Sequence, residues 1–256
     1  MITTIIVNYK THALTIRAAQ SVKIDDPYGQ VVVVDNSEDS LEAAALRAGL
    51  PSGVDFYVSP KNVGFGKACN YAFSKAKHDF IFLLNPDAVV KSGCLQELQL
   101  FLETQPRFGA VSPCGYWDDA CSWYLPPGQM PSPAMNFALS LSMRFPSLGQ
   151  LVGKNFRKWA LRKLTGVSDS KVRMLSGGHV LLKRSAIVAA GGLFDENFFM
   201  YFEDTDLCRR IHAAGYSLHL LATASVTHFW QCNPGKSRLG EASEKYYIMK
   251  HFLKSQ

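Results

Sequence analysis

Three short stretches hold the residues whose types and spacing point to chemistry. In Phe80-Ile-Phe-Leu-Leu-Asn-Pro-Asp-Ala-Val-Val90, an apolar run stops at Asn85-Pro86-Asp87. Proline cannot donate to a sheet ladder, so a buried strand ends there and delivers Asp87 at its carboxyl edge. A carboxylate in that place can hold a divalent cation against a diphosphate. The other reading is a turn whose Asp bonds its own backbone. In Asn197-Phe-Phe-Met-Tyr-Phe-Glu-Asp-Thr-Asp-Leu-Cys-Arg-Arg210, acids sit densely against aromatics. Glu203, Asp204 and Asp206 open a helix whose apolar positions are Leu207, Ile211 and Ala214. Capping and the helix dipole favour acids there, which accounts for one of the three. A carboxylate near Phe198, Phe199 and Phe202 is open to an upward pKa shift and to work as a general base. In Gln30-Val-Val-Val-Val-Asp-Asn-Ser37, four β-branched residues run into Asp35 and Asn36. His228 also follows a strand, where a lone histidine is most often a core or surface residue.

The elements that position these residues follow from the apolar pattern. Thr3 to Lys10, Gln30 to Ser37, Val54 to Val58 and Phe80 to Leu84 read as strands. Helical stretches, Ala13 to Val22, Ser40 to Ala48 and a loop-to-helix segment reaching Ala76, separate them. This β-α alternation predicts an α/β fold with a mostly parallel sheet and helices on both faces. Four consecutive valines suit a strand buried on both sides. Several of these strands end in polar or acidic residues, so a nucleotide site built from strand ends is the natural inference. Helices are expected at Gly93 to Thr104, Ser185 to Ala190, from Glu203, and at Glu241 to Leu253; strands at Gly109 to Ser112, Val180 to Leu182, Ser217 to Leu221 and Ala224 to Thr227. Trp117 to Pro133 reads as irregular. Ser176-Gly177-Gly178 permits close backbone approach to a ligand.

Asn62-Val-Gly64-Phe-Gly66 is neither a GxGxxG nor a Walker loop, and no Rossmann fingerprint follows the first strand. That counts against a dinucleotide dehydrogenase and a P-loop NTPase; a loop capping a helix remains the plain alternative to a ligand role. The chain of 256 residues is 47% hydrophobic, ordinary for a globular protein able to bury a substantial core. Its start reads as a strand rather than a secretion signal, and no run approaches the ~18 apolar residues of a membrane span. Cysteines 69, 94, 114, 121, 208 and 232 form no CxxC pair, which fits reduced thiols in a cytosolic protein. The net charge of +6 is uneven: from Arg144 to Arg173, eight Lys/Arg stand against one acid, Asp169. Leu148 to Leu164 has helical period, with Leu148, Val152, Phe156 and Trp159 on one side and Lys154, Arg157 and Lys158 on another. Such a helix lies on an anionic membrane surface or packs on the domain with a solvated basic face.

With these pieces in register the chain resembles the inverting glycosyltransferases of family 2, with their nucleotide-sugar-binding A-type fold. The rhamnosyltransferase-like members that build bacterial surface polysaccharides are the most similar. The matching pieces are Ile5-Ile-Val-Asn-Tyr-Lys, Val33-Val-Asp-Asn-Ser, Asn62-Val-Gly-Phe-Gly-Lys-Ala-Cys-Asn, Leu84-Asn-Pro-Asp, Ser176-Gly-Gly-His-Val-Leu-Leu-Lys-Arg, Gly191 to Arg210 and Val226-Thr-His, in family order. Residues 117–165 have no clear counterpart, as a variable acceptor region would not. The resemblance implies a single domain: a nucleotide-sugar half (1–112), a basic acceptor- or membrane-facing region (113–173) and a catalytic half with a C-terminal helix (174–256). It implies nucleotide-sugar contacts from Asn8, Tyr9, Asp35, Asn36, Asn62, Gly64, Asn85, Asp87 and Gly177. Asp87 would be the last acid of a metal-binding DxD motif and His228 would complete the shell around Mg²⁺ or Mn²⁺. Asn85 replaces the first acid of that motif, which removes one anionic ligand. Asp204 would be the general base, with Tyr201, Glu203 and Trp230 at the acceptor. The implied reaction moves L-rhamnose from dTDP-rhamnose to a hydroxyl of a lipid-diphosphate-linked glycan at the inner face of the cell membrane.

Rival classes fit less well. A sugar-phosphate nucleotidyltransferase wants a glycine-rich, Arg-containing loop directly after the first strand, where Asn8-Tyr9-Lys10-Thr11 stands. A nucleic-acid-binding module would use the basic segment, but it lacks an evident stacking platform and the acids at 203–206 would repel phosphate; nucleic acid is not expected as a partner. A catalytically inactive scaffold of the same fold is the remaining alternative, raised by Asn85.

Overall fold

The computed structural model describes residues 1–125, 128, 130–131, 168–229 and 236–253. The predicted helix over Leu148 to Leu164 and Trp230, expected at the acceptor, lie outside the described residues. The first half alternates as expected: β1 (Ile2–Asn8), α1 (His12–Asp25), β2 (Gln30–Asp35), α2 (Ser40–Gly49), β3 (Val54–Val58), α3 (Phe65–Ser74) and β4 (Phe80–Leu84). These strands pair in parallel in the order β3-β2-β1-β4. The valine run of β2 shows why a strand can be apolar throughout. Val31 and Val33 pack with Ala18, Ala19 and Val22 of α1, while Val32 and Val34 pack with Ala68, Cys69 and Ala72 of α3. Successive side chains point to opposite faces, so both cores need an apolar residue at every position. Each buried valine contributes about 1.5–3 kcal/mol of transfer free energy.

The second half mixes strand directions. It contains β5 (Ala88–Val90), α4 (Cys94–Thr104), β6 (Phe108–Tyr116), β7 (Tyr124–Leu125), β8 (Ser170–Val172), β9 (His179–Lys183), α5 (Arg184–Ala189), α6 (Glu203–Ala213), β10 (Ser217–His228) and α7 (Lys236–Ile248), which runs into a π-helical turn, Met249–Leu253. The sheet continues β4-β9-β6-β10-β5. β9 is antiparallel to both β4 and β6, with Leu84 opposite His179. It enters the sheet from the carboxyl edge of β4, so the glycines before it arrive beside Asn85. β10 is one strand rather than the two predicted, with register shifts against β6 between Ser217 and Leu218 and between Leu221 and Ser225. β6 runs beyond the predicted Ser112 to Tyr116, through Pro113. The short strands β5, β7 and β8 have no apolar run long enough to announce them.

One result of this topology positions the site. The carboxyl ends of β1, β2, β4 and β10 and the amino end of β9 share one edge of the sheet, because Asn8 pairs with Asp35, Leu84 with His179 and His228 with Ala88. Helices cover both faces: α1 and α4 on one, α3, α5 and α6 on the other.

Candidate active site

At the β1–β2 corner, Asp35 is fully buried and its Oδ1 accepts from Asn8 Nδ2 at 2.9 Å and from Ser37 Oγ at 2.5 Å. Asn8 Nδ2 also lies 3.0 Å from Ser37 Oγ and 3.2 Å from Glu42 Oε2, and Asn8 Oδ1 accepts from Thr15 Oγ1 at 2.7 Å. Asn8 is therefore occupied within the protein and holds the Asp35 carboxylate in place. Asp35 Oδ2 is a buried acceptor without a partner among the described residues. A buried carboxylate oxygen left free costs desolvation energy unless a donor reaches it, so this atom is a ready anchor for a ligand N–H or O–H. Asn36 bridges to the next loop: its Nδ2 donates to Asn62 Oδ1 at 2.9 Å and its Oδ1 accepts from the Val63 N–H at 3.0 Å. Asn62 Oδ1 in turn accepts from the Gly64 N–H at 3.0 Å. Gly64 has φ +86°, and a Cβ there would come within 2.4 Å of the Phe199 carbonyl oxygen. Glycine is required on both counts. Tyr9 is half exposed beside this corner.

At the end of β4, Asp87 Oδ1 lies 3.1 Å from His228 Nε2. Residues 141 positions apart are thus brought into contact by the β5–β10 pairing. The Asn85 N–H donates to the Gly178 carbonyl at 2.8 Å. A Cβ on Gly178 would meet Asn85 Nδ2 at 2.9 Å and His228 Cε1 at 3.1 Å, so the bare backbone there is what lets both side chains close in. The ring of His179 stands edge-on to His228, with centroids 5.3 Å apart. Burial, and then the neighbouring His228, push the His179 imidazole down to about 3, so it is neutral. His179 lies inside the Ser-Gly-Gly-His motif, yet no sequence signal separated it from an ordinary strand residue. A carboxylate and an imidazole at this separation suit a divalent cation. Among the described residues no group of three His, Cys, Asp or Glu gathers to hold one. Asp87 and His228 are the two residues here that would hold a cation, and its remaining ligands would have to come from outside this pair.

The third component is the first turn of α6. Tyr201 and Phe202 both adopt left-handed φ values, 68° and 66°, and turn the chain into the helix. Non-glycine residues in that region cost about 1–3 kcal/mol each and persist where surrounding structure over-determines them, often at functional sites. Asp204 Oδ2 accepts from the Gly177 N–H at 3.1 Å and Oδ1 from the Thr205 N–H at 2.7 Å. It sits over an apolar floor that includes Leu175, Phe194 and Leu207. Burial raises the Asp204 pKa, offset in part by those backbone donors. Gly177-Gly178 thus joins the two acidic centres, with Asp204 against Gly177 and Asn85 and His228 against Gly178.

Glu203 and Asp206 differ from Asp204 in what surrounds them. Glu203, expected at the acceptor, is buried, and its Oε2 has no partner among the described residues. Burial and then the adjacent Asp204 raise its pKa, which favours its neutral form. Asp206 is fully buried between Arg210 Nε, Lys250 Nζ and His251 Nε2, each at 2.7 Å, and is the structural acid of the three. Thiols offer no nucleophile here: burial pushes Cys208 up to about 12 and Cys69 well above its ordinary value.

A set of strand-end polar groups around an orphan carboxylate, a carboxylate–imidazole pair and a raised aspartate is what transfer from a nucleotide donor asks for. The sequence profile of glycosyl transferase family 2 matches residues 4–186. The chain belongs to that family. It is a glycosyltransferase, and its relatives agree. Rhamnosyltransferase WbbL of Escherichia coli K12 is 27% identical over 240 residues, covering 90% of this chain and 83% of the relative. The N-acetylglucosaminyl-diphospho-decaprenol L-rhamnosyltransferase of Mycobacterium tuberculosis is 28% identical over 251 residues, covering 90% of this chain and 77% of that protein. The fold matches a crystal structure of GalNAc-T7 with UDP, GalNAc and Mn²⁺ at a TM-score of 0.66 and 14% identity. That alignment covers 97% of this glycosyltransferase but 47% of GalNAc-T7, so the chain spans about half of that larger protein. The architecture is the A-type fold of nucleotide-sugar-dependent glycosyltransferases.

Proposed function

We propose that this glycosyltransferase moves L-rhamnose from dTDP-rhamnose to a hydroxyl of a lipid-diphosphate-linked glycan, with inversion at the anomeric carbon, in the synthesis of a bacterial surface polysaccharide. The donor and acceptor classes are supported by the activities that name its rhamnosyltransferase relatives. The inverting mechanism rests on one observation: Asp204, with a raised pKa, is aimed by Gly177 at the same sheet edge that carries Asp35, Asp87 and His228. Asp35 and the Asn36–Asn62–Gly64 loop hold the nucleoside, with Asp35 Oδ2 accepting from the base or ribose. Asp87 and His228 would hold Mg²⁺ or Mn²⁺, which when bound would supply positive charge to the leaving diphosphate. Asp204 takes the proton of the acceptor hydroxyl as its oxygen bonds to the anomeric carbon. The bond from that carbon to the diphosphate breaks on the opposite face, and the electron pair leaves with dTDP. No covalent enzyme intermediate is needed, in keeping with the raised thiols.

The membrane-facing role assigned to the basic segment rests on sequence for the most part. Lys171 and Arg173, at its described end, are exposed on and beside β8, and no described helix is long and apolar enough to cross a membrane. We place the enzyme peripherally at the cytoplasmic face, where the lipid-linked acceptor is presented.

Calorimetric titration with dTDP, UDP and GDP, each with and without Mn²⁺, tests the donor side. Metal-dependent binding of dTDP above the others is the expected result; binding of none would reject a nucleotide-sugar site. For the acceptor side, Asp204→Asn keeps nucleotide binding and loses transfer, and a variant with the wild-type rate would remove Asp204 as the base.

A further inference from the structure

The segment between α5 and α6 links the two halves of the site. On the donor side, the Phe199 carbonyl accepts from the Phe65 N–H at 2.9 Å and presses on Gly64. Asn70 of α3 pins the Phe194 backbone from both sides, at 2.9 and 3.0 Å. On the acceptor side, Tyr201 and Phe202 take their left-handed φ and deliver Asp204.

Several contacts to this segment come from residues 243–251, beyond the residues that match the family profile. Lys250 Nζ sits 2.7 Å from Asp195 Oδ2 and 2.7 Å from Asp206 Oδ1. These two carboxylates bracket the turn, one before it and one just after Asp204. Tyr246 Oη donates to Asp195 at 3.1 Å, and Ser243 Oγ donates to the Met200 carbonyl at 2.7 Å. Tyr247 is fully buried with its ring 5.5 Å from that of Phe202. Arg210 and His251 also hold Asp206, but neither reaches Asp195 in the structure, so the bridge across the turn is the ammonium of Lys250. Its charge is secure: burial opposes it, but the two carboxylates raise the Lys250 pKa.

We propose that Lys250 is a positioning residue for catalysis: by tying Asp195 to Asp206 it closes the Phe199–Phe202 turn and fixes the Asp204 carboxyl against Gly177. The inference rests on Asp204 being the base. It gives the C-terminal helix a function in turnover that its distance in sequence conceals.

The test compares Lys250→Met, which keeps the length of the side chain and removes its charge, with Lys250→Arg and Asp204→Asn in the intact protein. Transfer kinetics, dTDP affinity by calorimetry and melting temperature are measured for each. A misplaced base costs about 10- to 100-fold in kcat. Lys250→Met is expected to lose turnover on that scale while the dTDP affinity and the donor KM hold, and Lys250→Arg to recover part of it. A folded Lys250→Met with wild-type kcat overturns the proposal, as does a parallel loss of kcat and dTDP affinity, which would mark a structural role only. Should Lys250→Met not fold, Asp195→Asn removes one arm of the bridge while Asp206 keeps Arg210 and His251, and the same kcat-specific loss is expected. The two readings separate cleanly. Wild-type transfer by Asp204→Asn overturns the base assignment and this inference with it; an inactive Asp204→Asn beside a fully active Lys250→Met overturns the inference alone.

Discussion

Gly178→Ala probes the carboxyl edge of the sheet with a single added carbon. Its Cβ would lie 2.9 Å from Asn85 Nδ2 and 3.1 Å from His228 Cε1, against the 3.4–4 Å of ordinary contact, so both side chains must retreat by tenths of an ångström. Both obstacles are side-chain ends rather than backbone, so the fold can yield. The stability cost is therefore about 1 kcal/mol, the low end for overpacking, and the melting temperature falls by about 2–4 °C. Metal binding is less forgiving, because ligand distances tolerate only about 0.2 Å. Displacing His228 from beside Asp87 is expected to weaken Mn²⁺-dependent dTDP binding about 10- to 100-fold, or about 1.4 kcal/mol per tenfold. Calorimetry with dTDP, with and without Mn²⁺, reads this directly, and metal-free binding is expected to survive. If the variant binds dTDP with wild-type metal dependence, then His228 does not hold the cation beside Asp87.

The pH dependence of transfer follows from the proposed base. In that role Asp204 is ionised, and burial raises its pKa, so kcat is expected to fall as pH drops through a value above the ordinary Asp range of about 3.9; a kcat–pH profile flat down to that range would place the base elsewhere. Glu203 has a raised pKa in the folded state, so the stability it contributes as a neutral acid is present below its unfolded value and is lost as pH rises. Glu203→Gln is accordingly expected to melt higher than the parent, by a margin that grows between pH 5 and 8; a constant or negative margin in thermal melts contradicts a neutral Glu203. Asp206 behaves in the opposite sense. Burial alone would raise it, but Lys250, Arg210 and His251 hold it below the usual value, so its contribution is present above its unfolded pKa and is lost as pH falls through the lower folded one. Asp206→Ala leaves Arg210 and Lys250 partly buried without that partner and is expected to cost about 3–5 kcal/mol in denaturant unfolding near neutral pH; a loss within the range of a surface pair would mean the cluster is solvent-screened.

The chain's own residue types determined the parallel half of the fold. Four valines in a row can be satisfied only between two apolar layers, and a proline after Leu84 must end a strand, so β2 and β4 and the placement of Asp35 and Asp87 at their ends were legible locally. The acids of α6 were also legible as a group, because their density exceeds what capping a helix requires. Which acid does what was not. Glu203, Asp204 and Asp206 are within one helical turn, and their roles separate only through what packs on each: apolar burial on Glu203, the Gly177 N–H on Asp204, and Arg210, Lys250 and His251 on Asp206. The contact of Asp87 with His228 depends on an antiparallel pairing between a three-residue strand and the far end of β10, and so short a strand carries no period of its own. The amide of Asn8 faces inward, because Asp35 of β2, Ser37 of the loop after it and Glu42 of α2 converge on it. Sequence therefore placed the carboxylates on strand and helix ends; tertiary packing alone assigned each its charge and partner, because desolvation and hydrogen bonding are set by residues that are neighbours only in space.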